Sequence, residues 1–168
     1  AYGTRDSSIT TAGAFGNNNG INARHYGDGP LNITATGSVT GQTSNGIAAS
    51  TGLDGSGVVI AATDVTGGNQ GISVNHTGFG ALAITTTGDV TGRTGDGLNV
   101  YTAYDNGLSV SVNNVTGGEN GIDIDAPTTT NLSVTASGNV SGTIGAGINV
   151  NVRDDFGYNT PGTIDIDA

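Results

Sequence analysis

At 168 residues the chain has the length of one domain, but it contains 31 Gly and no Cys, Met or Trp, and only 11% of its residues are charged. Its cations are four arginines (Arg5, Arg24, Arg93 and Arg153) against 14 acidic residues, and the net charge of −10 excludes the clustered basic surface that nucleic acid or anionic lipid requires. No run of about 18 apolar residues occurs, so no part of the chain is expected to insert in a membrane as a helix.

From the N terminus, the first alternating run is Ser7-Ser8-Ile9-Thr10. Gly20-Ile21-Asn22-Ala23 follows, then Leu31-Asn32-Ile33-Thr34-Ala35, then Val39-Thr40-Gly41. From there the same three blocks recur in the same order. The Gly-Ile/Leu block returns at Gly46, Gly71, Gly97, Gly121 and Gly147, in steps of 26, 25, 26, 24 and 26 residues. The second block returns at Val58-Val59-Ile60, Leu82-Ala83-Ile84, Leu108-Ser109-Val110 and Leu132-Ser133-Val134. The third returns at Val65-Thr66-Gly67, Val90-Thr91-Gly92, Val115-Thr116-Gly117 and Val140-Ser141-Gly142.

A longer period overlies this one. The distance from the Val of the third block to the next anchor glycine alternates between seven residues (Val39 to Gly46, Val90 to Gly97) and six (Val65 to Gly71, Val115 to Gly121). The full repeat is therefore a pair of coils, about 50 residues.

Every block is short, alternates apolar and polar residues, and is bounded by Gly, Asn, Asp or Thr, which is the pattern of a strand and incompatible with a helical face. Three strands per 25 residues, joined by glycine-rich turns, predict an all-β fold: a right-handed parallel β-helix, a three-sided solenoid of six to seven coils running through residues 1–168 as one segment. Alternate residues then point inward. Ile21, Ile47, Ile72, Leu98, Ile122 and Ile148 should form one internal column; Leu31, Val58, Leu82, Leu108 and Leu132 a second; Val39, Val65, Val90, Val115 and Val140 a third. Each buried aliphatic side chain is worth about 1.5–3 kcal/mol. The glycines are expected to supply positive φ at the corners. His25 and His76, just after their strands, are expected on the surface. Thr163-Ile164-Asp165-Ile166-Asp167 opens another coil and neither end carries a recognisable cap, so the chain is expected to belong to a longer rod.

The blocks VTGQTSNGI, VTGGNQGI, VTGRTGDGL and VTGGENGI, alternating with LNITATG and LAITTTG, resemble the passenger repeats of bacterial autotransporter (type V secretion) proteins over residues 7–168. The resemblance implies a β-helix exported to the bacterial cell surface and serving adhesion, biofilm formation or host interaction. The signal peptide and the membrane β-barrel of that family are not found in these residues.

Outward hydroxyls suggest surface ladders: Thr34, Thr85, Ser111 and Thr135, with Thr36, Thr63, Thr87 and Ser137 beside them. Such files arise from β-propensity on a solvated face, and paired threonines are also how ice-binding solenoids present themselves. Glu119, Asp123 and Asp125 fall near one corner and are a weak candidate for Ca²⁺, although the Gly117–Asp123 stretch is one residue too long for the repeat-in-toxin nonapeptide. The irregular loop holding Asp154, Asp155, Phe156 and Tyr158 exceeds its counterparts by about six residues and is a candidate recognition loop.

No catalytic constellation and no cofactor is expected. The leading reading is a structural and adhesive stalk whose partners are a host or neighbouring-cell surface, extracellular matrix or glycan, or further copies of itself. The alternatives are a polysaccharide-binding or polysaccharide-cleaving β-helix, which a groove with converging carboxylates and aromatics would favour, and an ice binder.

Overall fold

The computed structural model describes residues 5–104, 107–126, 131–153 and 163–168. The first coil comprises β1 (Ser7–Thr11), β2 (Ala14–Gly16) and β3 (Ile21–His25), and the second β4 (Leu31–Ala35), β5 (Val39–Gly41) and β6 (Ile47–Thr51). The third is β7 (Gly57–Ala62), β8 (Val65–Gly67) and β9 (Ile72–His76); the fourth is β10 (Ala81–Thr86), β11 (Val90–Gly92) and β12 (Leu98–Thr102). The fifth is β13 (Leu108–Val112), β14 (Val115–Gly117) and β15 (Ile122–Asp125), and the sixth β16 (Leu132–Ala136), β17 (Val140–Gly142) and β18 (Ile148–Asn151). A last strand, β19 (Ile164–Asp167), returns to the first face.

Strands of equivalent position stack into three parallel sheets: sheet A with seven strands from β1 to β19, sheet B with six from β2 to β17, and sheet C with six from β3 to β18. The fold is thus the three-sided β-solenoid that the periodicity implies. Neighbouring coils pair without slippage, as in Ile47↔Ile72 and Leu98↔Ile72 on sheet C, Val39↔Val65 on sheet B and Ile33↔Ile60 on sheet A. Each predicted aliphatic column is therefore real, and Ile47, Ile72, Leu98 and Ile122 are completely enclosed. A one-residue slip would turn a whole column to solvent, so burial on one side holds the register.

The glycines play a different part from the one expected. Among the described residues, only Gly57 (φ 149°) and Gly107 (φ 150°) have positive φ. Others are glycine because a Cβ would have no room, either against a carbonyl of the same turn, as at Gly67, or against the next coil, as at Gly46 and Gly97. A Cβ on Gly46 would stand 2.7 Å from the Gly71 carbonyl oxygen and 2.9 Å from that of Thr66, both in the next coil. A Cβ on Gly97 would meet the corresponding oxygens of Gly121 and Thr116 at 2.7 and 2.9 Å.

Amide side chains seal the corner between sheets B and C. Asn19 Oδ1 accepts the backbone N–H of Asn45 (3.1 Å), Asn45 Oδ1 that of Gln70 (3.4 Å), and Asn120 Oδ1 that of Ala146 (2.9 Å). Asp96 occupies the same file. It is buried, and it accepts Asn120 N–H at 3.0 Å, Asn120 Nδ2 at 2.9 Å and Asn99 Nδ2 at 2.9 Å.

Candidate functional site

Three kinds of chemistry-bearing residue emerge from the fold: outward polar files, an internal histidine column, and a row of exposed rings at one corner.

The outward file on sheet A forms as expected. Thr34 pairs with Ala61, Ala61 with Thr85, Thr85 with Ser111 and Ser111 with Thr135. The companion file follows the ends of these strands. Thr36, Thr63, Thr87 and Ser137 stand beyond the strand ends, where their backbone N–H groups donate to Thr11, Ala35, Ala62 and Val112 of the preceding coil. Ala61 interrupts the hydroxyls of the first file. A more regular file went unnoticed in the sequence: on sheet B, Thr40, Thr66, Thr91, Thr116 and Ser141 follow one another in register. The alternating Val-Thr-Gly blocks contained that signal.

Asp123 and Asp125 both stand on β15, but each is already engaged. Asp123 accepts Asn149 Nδ2 at 2.7 Å, and Asp125 receives Arg153 Nη2 at 3.0 and 3.1 Å from its two oxygens. Glu119 lies in the preceding turn, where its N–H bonds to the Gly95 carbonyl. Among the described residues, no three acidic or imidazole side chains gather where one cation could be held. Asp154, Asp155, Phe156 and Tyr158 lie outside the described residues.

The histidines are not on the surface. His25 is 5% exposed and His76 is 0% exposed. Both point into the solenoid and belong to one internal column, His25–Thr51–His76–Thr102, formed by successive strands of sheet C. The reason is room. Threonine in alternate coils leaves space above and below each ring, and the second residue after each histidine is a glycine. A Cβ on Gly27 would stand 2.9 Å from His25 Cε1, and one on Gly78 would stand 3.0 Å from His76 Cε1. The motif His-x-Gly-x-Gly, as HYGDG and HTGFG, was therefore the readable sign of an inward histidine, and it recurs at the two-coil period.

His76 is fully engaged. Its Nε2 lies 3.0 Å from the Gly80 carbonyl, which can only accept, so Nε2 carries the hydrogen. Nδ1 then accepts the Thr51 hydroxyl at 2.6 Å. Burial pushes the His76 pKa below its ordinary value of 6.5, opposed by the hydrogen bond to Gly80, which favours the charged ring. His25 Nδ1 is 2.7 Å from Ser7 Oγ, and its buried Nε2 has no partner among the described residues.

The corner joining sheet C to sheet A carries large exposed side chains in four consecutive coils: Tyr26 (70% exposed), Leu53 (60%), Phe79 (61%) and Tyr104 (36%). Phe79 and Tyr104 touch, with ring centroids 5.3 Å apart and planes tilted by 31°. The Tyr26 ring lies over the next coil, where a Cβ on Gly52 would meet its Cδ1 at 3.2 Å. A shallow groove of about 240 Å³ runs along the sheet C side over Asn22, Ser50, Ser73 and Asn75. A second groove, of about 400 Å³, runs along the sheet A side over Ala83, Ser109, Ser133 and Asp165.

No family model, curated protein or solved structure matches the chain. The fold defines the class, a parallel β-solenoid repeat protein.

Proposed function

We propose that the chain is a stalk segment of a secreted bacterial surface protein, holding a binding region away from the cell and making adhesive contact along its own length. The observation that supports this reading is the unbroken register of all three sheets. It places chemically similar outward residues, such as Thr40, Thr66, Thr91 and Thr116, one strand spacing apart, about 4.8 Å, on a stiff axis. Contacts that are weak one at a time become strong when a rigid array presents them together. The autotransporter-like repeats agree with such a role at the cell surface.

The test is to couple the purified chain to fluorescent beads at low and high density and measure retention on epithelial cells, on matrix-coated glass and on a lawn of the same beads. Retention that climbs steeply with density on any of these supports the adhesive stalk. Beads that wash off all three surfaces at both densities would overturn it.

A further inference from the structure

We infer that the corner carrying Tyr26, Leu53, Phe79 and Tyr104 binds a neutral polysaccharide chain lying parallel to the solenoid axis. The inference goes beyond the stalk reading, because it concerns a single edge and does not depend on where the rod is displayed.

Aromatic residues are scarce here, five Tyr and three Phe in 168 residues. Tyr26, Phe79 and Tyr104 nevertheless collect at one corner of three coils, exposed, with Tyr101 on the adjoining strand β12 also partly exposed. Water-facing rings in such number are a cost unless something covers them. They are also held in place, Phe79 against Tyr104 and Tyr26 over Gly52, so a ligand need not pay to order them.

The kind of ligand follows from the surroundings. At the Tyr26 end Arg24 lines the groove beside the rings; between Leu53 and Tyr104 the single cationic side chain is Arg93, in the turn after β11 at a different corner. Phosphate, sulfate or uronate groups would find no counter-charge on this stretch of the ridge. A peptide added as an extra strand is excluded along this edge as well. In a parallel solenoid the backbone hydrogen bonds run along the axis and are already used between coils, as in Ile47↔Ile72 and Leu82↔Val58, so unpaired strand edges occur only at the ends of the stack. What remains are rings for stacking, with hydroxyls and amides on the sheet C flank, at Ser50, Ser73 and Asn75, and a mainly apolar groove on the sheet A flank, over Leu82, Ala83 and Leu108. This combination suits sugars, whose C–H faces lie on aromatic rings while their hydroxyls take side-chain donors and acceptors. Consecutive rings stand one or two strand spacings apart, about 4.8 Å each, commensurate with successive sugar units of an extended chain.

Native electrophoresis of the whole chain through gels containing xylan, mixed-linkage β-glucan or galactomannan, with polygalacturonate as the anionic comparison, tests the inference. At least one neutral polymer should retard the chain. The double variant Phe79→Ala/Tyr104→Ala should weaken that retardation at least tenfold, whereas Phe15→Ala, which removes an exposed ring from sheet B, should leave it unchanged. Far-ultraviolet circular dichroism and melting verify that each variant is folded; if the double variant is not, Tyr26→Ala carries the same expectation. Migration unaffected by all three neutral polymers, retardation by polygalacturonate alone, or retardation that survives the loss of the ridge rings would each overturn the proposal. None of these outcomes bears on the bead-retention test, so the two readings can fail separately.

Discussion

Inside the solenoid, Thr51 and His76 stand in register on adjacent strands, and the threonine hydroxyl donates to His76 Nδ1 at 2.6 Å. A polar column inside an otherwise aliphatic core is sustained at this point because the ring's other nitrogen also has a partner, the Gly80 carbonyl at 3.0 Å. Thr51→Val removes the hydroxyl and leaves a buried acceptor unpaired, which should cost about 1–3 kcal/mol in urea unfolding at neutral pH.

The same pair makes stability depend on pH. The unfolded His76 titrates near 6.5, while burial lowers the folded pKa beneath that value. Above 6.5 both states are neutral and the fold loses nothing. As pH falls below 6.5 the unfolded chain takes up a proton that the folded chain resists, so stability falls until the folded pKa is reached and then levels off. Charged and titratable groups on the elements around this corner are Asp54 in the loop before β7 and His25 two coils away in the same column. The melting temperature should therefore drop between pH 7.5 and the start of carboxylate titration, and His76→Gln should remove a large part of that drop. Identical slopes in the two proteins would show that His76 is not responsible.

Two glycines should fail for different reasons. Gly46→Ala forces a methyl group against the Gly71 and Thr66 carbonyls of the next coil, so the stack must open. Among the described residues the nearest neighbour of a Gly107→Ala methyl is the Asn131 carbonyl oxygen at 3.9 Å, but the residue must hold φ near 150°. That conformation costs about 1–3 kcal/mol outside glycine. Denaturant midpoints should rank wild type above Gly107→Ala and Gly107→Ala above Gly46→Ala.

Asp96 acts as an acceptor at the B–C corner, in a file otherwise filled by Asn19, Asn45, Gln70 and Asn120. Asp96→Asn keeps the oxygen that receives Asn120 but turns an amide donor towards Asn99 Nδ2, so it should lose stability, though less than Asp96→Ala. Asp96→Ala orphans the Asn120 N–H, with a loss of about 1–3 kcal/mol. Hydrogen exchange at the Asn120 amide, faster in Asp96→Ala and little changed in Asp96→Asn, distinguishes this bond from general loosening.

Core packing sets the scale for the rest. Ile72 is fully enclosed between Ile47 and Leu98, and Ile72→Ala should cost about 2–5 kcal/mol by chemical denaturation. Ile144, 83% exposed, should tolerate Ser within about 0.5 kcal/mol.

The division between what was legible and what was not follows the range of the forces involved. The amino-acid sequence by itself determined the coil length, the three strands per coil and the identity of each aliphatic column, because Ile47, Ile72 and Leu98 repeat at a fixed phase and alternation sends one side of a strand to the core. It also determined the outward threonine files, although the regular one on sheet B was overlooked for the broken one on sheet A. The His-x-Gly-x-Gly motif marked His25 and His76 as inward, but only the tertiary structure decided how each ring is held. A polar residue at an inward phase is resolved by the space and partners around it: Ser7 and Thr51 are set by stacking of coils, and Gly80 by the turn that follows His76. Only the tertiary structure gathered the rings as well. Tyr26, Leu53, Phe79 and Tyr104 follow their strands at irregular offsets of one, two, three and two residues, so no period marks them, and they meet because parallel stacking places every loop between sheets C and A at the same corner.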